Sequence, residues 1–191
     1  MSDDTIRKLV SAPLVRAPDL ESLPVAPEQD IRWRALAAIA VFRLLIAVLL
    51  TGVFLSSDSP RFFGDLFPQA FIVTVLMWFV AGVIGAYACV SRALPVDSQT
   101  EMLLLIDIVA IAILSLASGG ASSGVAGLLI IFMAGGAFIL TSLTALFYAA
   151  LATLGVLGVQ AYLNVVGAVE LVQYPAAGLL TAVMFASVLA F

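Results

Sequence analysis

Two charged side chains sit inside long apolar runs, where a charge is costly. Arg43 interrupts the run 35–55, and Asp107 lies within 102–117. In a bilayer an isolated ionisable residue costs about 2.5–3.5 kcal/mol or more at the helix centre, so each needs a reason to be there. One reading is functional, an element of signalling or of an ion path. The other is structural: an ion pair locking the first span to the third, or an arginine snorkelling to the headgroups. Counted from the start of each apolar run, Arg43 is about 12 Å deep and Asp107 about 8 Å at 1.5 Å per residue, which makes pairing feasible.

A second constellation is uncharged. Ser118, Gly119, Gly120, Ala121, Ser122, Ser123 and Gly124 form a hinge of small residues between two apolar arms. Gln160 and Asn164 are four apart and share a helix face. With Ser115, Ser118, Ser122 and Ser123 they would line a polar recess for a partner; the alternative is hydrogen bonding between helices. Gly135 and Gly136 suit close helix packing. Catalytic chemistry has no candidates. Histidine is absent, which removes the commonest general base and metal ligand. The single Cys89 reads as a small buried apolar residue. No metal site, no phosphate-cradling glycine loop and no basic nucleic-acid patch is evident, so cofactors and nucleic acid are not expected in these residues.

The elements that must position these residues follow from composition. Of 191 residues 63% are hydrophobic and 10% charged, with a mean hydropathy of +1.20. Soluble domains run nearer 45–50% and about 25%, so the chain reads as an all-α, polytopic integral membrane protein. Six of its 12 acids fall in the first 30 residues, among four prolines. Residues 1–31 are therefore expected to be a disordered cytoplasmic tail, and 32–191 a membrane domain. Spans of about 20 residues cross a bilayer, which gives 35–55, 69–91, 102–117, 125–140, 145–165 and 176–191, six in all. From Ile108 to Val169 there is no charge; the hinge and Thr141–Thr144 are the expected reversals. Arg7, Lys8, Arg16, Arg32, Arg34 and Arg92 fall on one side and Arg61 on the other, which predicts a cytoplasmic N-terminus. The sixth span stops at Phe191 without a polar flank, as though a larger cytoplasmic part followed.

Leu105-Ile106-Asp107-Ile108, the hinge Ser118–Gly124 and the Leu/Ile-rich run after it resemble the membrane sensor part of PilS-type histidine kinases, which regulate pilin transcription. The similarity extends to Phe42-Arg43-Leu44, Ala149–Leu154 and Gln160-Ala161-Tyr162, and covers about Arg32 to Phe191. The chain departs from the family's pattern in its longer, proline-containing tail and in the lack of a basic residue at Thr141–Thr144. The resemblance implies a bacterial inner-membrane signal-input domain, working as a homodimer in the lipid bilayer and sensing membrane-embedded pilin. It also implies a kinase region, outside these residues, that uses ATP and Mg and phosphorylates a response regulator. Two other classes compete with it. A small transporter or channel-like protein would show internal repeats or broken helices, which are not evident; a structural assembly subunit would fit the composition.

Overall fold

In hydrocarbon a chain satisfies its backbone polar groups only as a helix or a closed barrel. The computed structural model describes residues 27–56, 63–167 and 174–189, and the described residues form helices joined by short connections. They are α1 (Pro27–Ser56), α2 (Pro68–Ser91), α3 (Val96–Ala117), α4 (Leu128–Ile139), α5 (Ser142–Val165) and α6 (Tyr174–Leu189). Two single 3-10 turns, Ala121–Ser123 and Val125–Gly127, lead into α4. The chain divides into Met1–Ile31 and Arg32–Phe191. Of the first unit only Pro27–Ile31 is described, as the opening of α1, so the rest of the expected tail lies outside the described residues.

Four of these helices are long and apolar enough to cross a membrane: Asp30–Ser56 within α1, then α2, α3 and α5. α4 is shorter, with 12 residues, and α6 has 16. Side chains such as Leu45, Val48, Met77, Ile84 and Leu154 are exposed on the outer surface. On a multi-pass membrane protein this surface contacts the lipid.

The hairpin α3–hinge–α4 is central. Over its most apolar window α3 is 56% buried, against 22–28% for the other three long spans. It packs on α2, α4 and α5, while α6 packs on α4 and α5. α1 joins through side chains: Ile39 reaches Gly135 of α4, Phe42 meets Phe132, and Arg43 and Leu44 lie over Gly82 of α2. Lipid offers helices no hydrophobic gain on association, so close packing must supply the attraction. Glycines do this where the fit is tightest. A Cβ on Gly136 would lie 2.6 Å from Leu104, one on Gly135 2.7 Å from Ile39, and one on Gly85 2.6 Å from Leu103. Gly135 and Gly136 thus seat α4 between α1 and α3. By contrast, Gly158 faces open space.

Several helix starts lie earlier than the apolar runs suggest. α1 begins at Pro27 instead of residue 35, α3 at Val96 instead of 102, α5 at Ser142 instead of 145 and α6 at Tyr174 instead of 176. The reasons are physical. Proline suits a first helical turn, as at Pro27, Pro68 and Pro175, because its missing N–H would be unpaired there anyway. Asp97 sits in the first turn of α3, where the helix dipole favours an acid. Asp97 and Glu101, which lie between the expected spans 69–91 and 102–117, are helical, as are Ser142 to Thr144 of the expected reversal. The fourth apolar run is not one helix from residue 125, since its first turn is 3-10.

Candidate functional site: a buried ion pair and the hinge

Asp107 lies eleven residues past the start of α3 and Arg43 sixteen past that of α1. That is about 16 and 24 Å along their helices. Both stand further from their helix starts than from the starts of their apolar runs, because each helix carries a polar first turn. They meet inside the bundle. Arg43 Nε donates to Asp107 Oδ1 at 2.7 Å, and Arg43 Nη2 donates to Oδ2. The side chains are 1% and 0% exposed. This two-pronged contact matches the planar guanidinium to the carboxylate.

A third residue completes the site. Trp78 of α2, itself buried, donates Nε1–H to Asp107 Oδ1 at 2.8 Å. The carboxylate therefore accepts three hydrogen bonds and ties α1, α2 and α3 together. Phe132 of α4 closes the cluster. Its ring centroid lies 5.6 Å from the Arg43 guanidinium, within cation–π range, and 5.8 Å edge-on from the Trp78 ring. Among the described residues, Arg43 Nη1 has no acceptor. A void of about 10 Å³ beside it, lined also by Thr100, Leu104 and Phe132, has room for a single water. Trp78 is the member that sequence reading missed. Its signal was present, since an indole N–H in mid-span needs a partner.

A second polar layer surrounds the near end of α3. Gln99 and Thr100 are buried, and Gln99 Nε2 donates to the Gly85 carbonyl of α2 at 2.9 Å. Arg32 pairs with Asp97 and donates to the Ile139 carbonyl at the end of α4, where a cation suits the helix dipole. Arg92 lies 5.5 Å from the Trp33 ring. The start of α1, the end of α2 and the start of α3 are thus bound at one end of the bundle.

At the other end the hinge is built on backbone that glycine favours. Gly119, Gly120 and Gly124 have φ of 91°, 91° and 74°. The turn pairs several of its own polar groups. Gly120 N donates to the Ser115 carbonyl at 2.8 Å, and Ser123 Oγ to the Gly120 carbonyl at 2.8 Å. Ser118 Oγ accepts from Gly64 N at 3.0 Å, while Leu66 and Phe67 N–H groups cap the Ala117 carbonyl. Gln160 turns inward, 1% exposed, and its Oε1 accepts from Ala121 N at 3.3 Å. Ser115 is equally buried, and its Oγ has no partner among the described residues. Instead of lining an open recess, Gln160 and Ser115 hold the hinge against α5 and α3. Asn164 is partly buried one turn further on, and Ser122 lies in the first 3-10 turn.

No curated protein and no solved structure matches the chain. A family model does, that of the PilS-like transmembrane domain, over residues 26–190. This range contains the Arg43–Asp107–Trp78 cluster and the hinge, and on that match the chain belongs to the PilS-like transmembrane domain family.

Proposed function

We propose that the chain is the membrane signal-input region of a two-component sensor histidine kinase. Its spans recognise an inner-membrane partner, by resemblance pilin, and its last helix passes the signal to a kinase region that uses ATP and Mg and phosphorylates a response regulator. The reading places it as a homodimer in a bacterial inner membrane with the N-terminus in the cytoplasm. The observation that carries it is the family match across nearly the whole membrane region. The bundle supports it mechanically. A partner shifts an equilibrium only by binding two helix arrangements unequally, and here α6 rests on α4 and α5. A displacement of that pair would move the helix nearest the C-terminus. Gathering Arg32, Arg34 and Arg92 near one end of the helices favours the proposed orientation.

The test is a chimera. Residues 26–190 replace the membrane region of a PilS-type kinase in a strain lacking that kinase, and transcription from the regulator's promoter is read with and without co-expressed pilin. A severalfold pilin-dependent change is expected. Output indifferent to pilin, and equal to that of a chimera with an unrelated six-span segment, refutes the reading. Reporter fusions after Ala93 and after Gly167 check the orientation, with cytoplasmic signal expected at the first and external signal at the second.

A further inference from the structure

Trp78 belongs to two features at once. Its indole N–H is bonded to Asp107, and Trp78, 1% exposed, is among the residues that line a groove of about 450 Å³ between α2 and α3. Thr74, Met77 and Ala81 line the groove from α2, Val109 and Ala110 from α3. Apart from the Thr74 hydroxyl, the indole and the weakly polar Met77 thioether, the lining is hydrocarbon, so the groove offers nothing to a charged or strongly polar ligand. Its rim residues, Val73, Met77, Leu105 and Val109, are exposed and apolar. The groove is therefore continuous with the lipid-facing surface of the bundle. Its size also selects an occupant. An apolar cavity of about 150 Å³ holds one benzene, so this volume corresponds to roughly eighteen carbon atoms.

We propose that the α2–α3 groove is a binding site for one acyl chain of a bilayer phospholipid, seated against Trp78. The site lies next to the buried ion pair, because Trp78 both lines the groove and donates its N–H to Asp107. Occupancy thus limits how far Trp78 can swing away from the carboxylate. The assignment is independent of the signalling role proposed above. It concerns the isolated membrane region and is tested without any kinase output.

Trp33→Phe leaves Trp78 as the one tryptophan, and Trp78→Phe supplies the background. The single-tryptophan protein is reconstituted in phosphatidylcholine vesicles whose acyl chains are unlabelled or carry bromine, a short-range quencher of indole fluorescence. Trp78 lies ten residues past the start of α2, about 15 Å along it, which is close to mid-membrane. Bromine near the chain ends should therefore quench more than bromine near the headgroup, removing at least half of the Trp78 emission. Ala81→Phe, which fills the groove, should restore most of that emission. Val109→Phe does the same from a lipid-exposed position and stands in should Ala81→Phe not fold. Three results overturn the proposal: emission unaffected by brominated chains, quenching that persists with the groove filled, or quenching that disappears as the protein-to-lipid ratio rises. The last would give the groove to a helix of a second copy.

Discussion

Replacing Asp107 with leucine leaves the Arg43 guanidinium buried with no counter-charge and Trp78 Nε1 with no acceptor. Breaking a buried pair by removing one partner costs about 3–5 kcal/mol, because the remaining charge keeps its desolvation cost and loses its compensation. Arg43→Met strands the carboxylate in the same way, with only the indole N–H left to it. For a domain of this size, about 2–4 °C per kcal/mol converts either loss into a melting-point drop of roughly 6–20 °C. The double variant Arg43→Met with Asp107→Leu behaves differently. Removing both charges from a pair that is 1% and 0% exposed removes both desolvation penalties, and apolar replacements of buried pairs are often neutral or stabilising. The double variant should therefore melt above both single variants. Thermal unfolding of the detergent-solubilised protein, followed by the monodisperse fraction remaining, measures all four corners of the cycle. A double variant that loses as much as the two singles summed refutes direct pairing, as do single variants within a degree or two of the parent.

Trp78→Phe keeps the ring against Phe132 but deletes the donor to Asp107, so it should cost about 1.5–3 kcal/mol, as for a hydrogen bond to a charged group. The Asp107→Leu background should abolish that cost in the same melting assay. Gly136→Ala places a Cβ 2.6 Å from Leu104 and should destabilise by about 1–3 kcal/mol through overpacking. Gly158→Ala meets nothing within 4 Å and should be neutral or stabilising by up to about 1 kcal/mol; a reversed order would refute the packing account. Gly120→Ala forces a side chain onto a φ of 91° and ψ of −153°, a region open essentially to glycine alone, at about 1–3 kcal/mol, and should raise protease cleavage at the hinge. Gln160→Leu removes the acceptor for Ala121 N. A loss near 0.6 kcal/mol is expected, the average for such bonds in membranes, and a larger loss on substituting the outward-facing Tyr162 would contradict the inward placement of Gln160.

The apolar runs made the membrane class and the main spans legible, because lipid demands long uninterrupted helices. Helix starts were less legible. Polarity marks where hydrocarbon ends, not where a helix ends, and α3 carries a polar first turn whose Gln99 bonds back to Gly85. Similar depths suggested that Arg43 and Asp107 face one another, but Trp78 was hidden because an aromatic in a span counts as apolar in any hydropathy sum. Spacing put Gln160 and Asn164 on one face without saying which neighbour that face meets. In the fold Gln160 meets the hinge instead of an open recess. The glycines were equally ambiguous. Nothing in their spacing separates Gly136, which holds two helices together, from Gly158, where an added Cβ would face open space.

The shortness of α4 bears on the bilayer itself. From Val125 through Ile139 the second arm of the central hairpin runs one 3-10 turn and twelve helical residues. That is about 24 Å, against a hydrocarbon thickness of about 30 Å. The shortfall of about 6 Å is a hydrophobic mismatch, met by thinning the membrane locally or by drawing the hinge below its surface. Either way, glycine-rich backbone approaches a depth where water cannot reach its amides. The internal partners of Gly120 N and Ala121 N, the Ser115 carbonyl and Gln160, are what such a depth requires. A thicker bilayer would strain this arm before the longer helices α1, α2, α3 and α5, so among these elements membrane thickness acts first at the hinge.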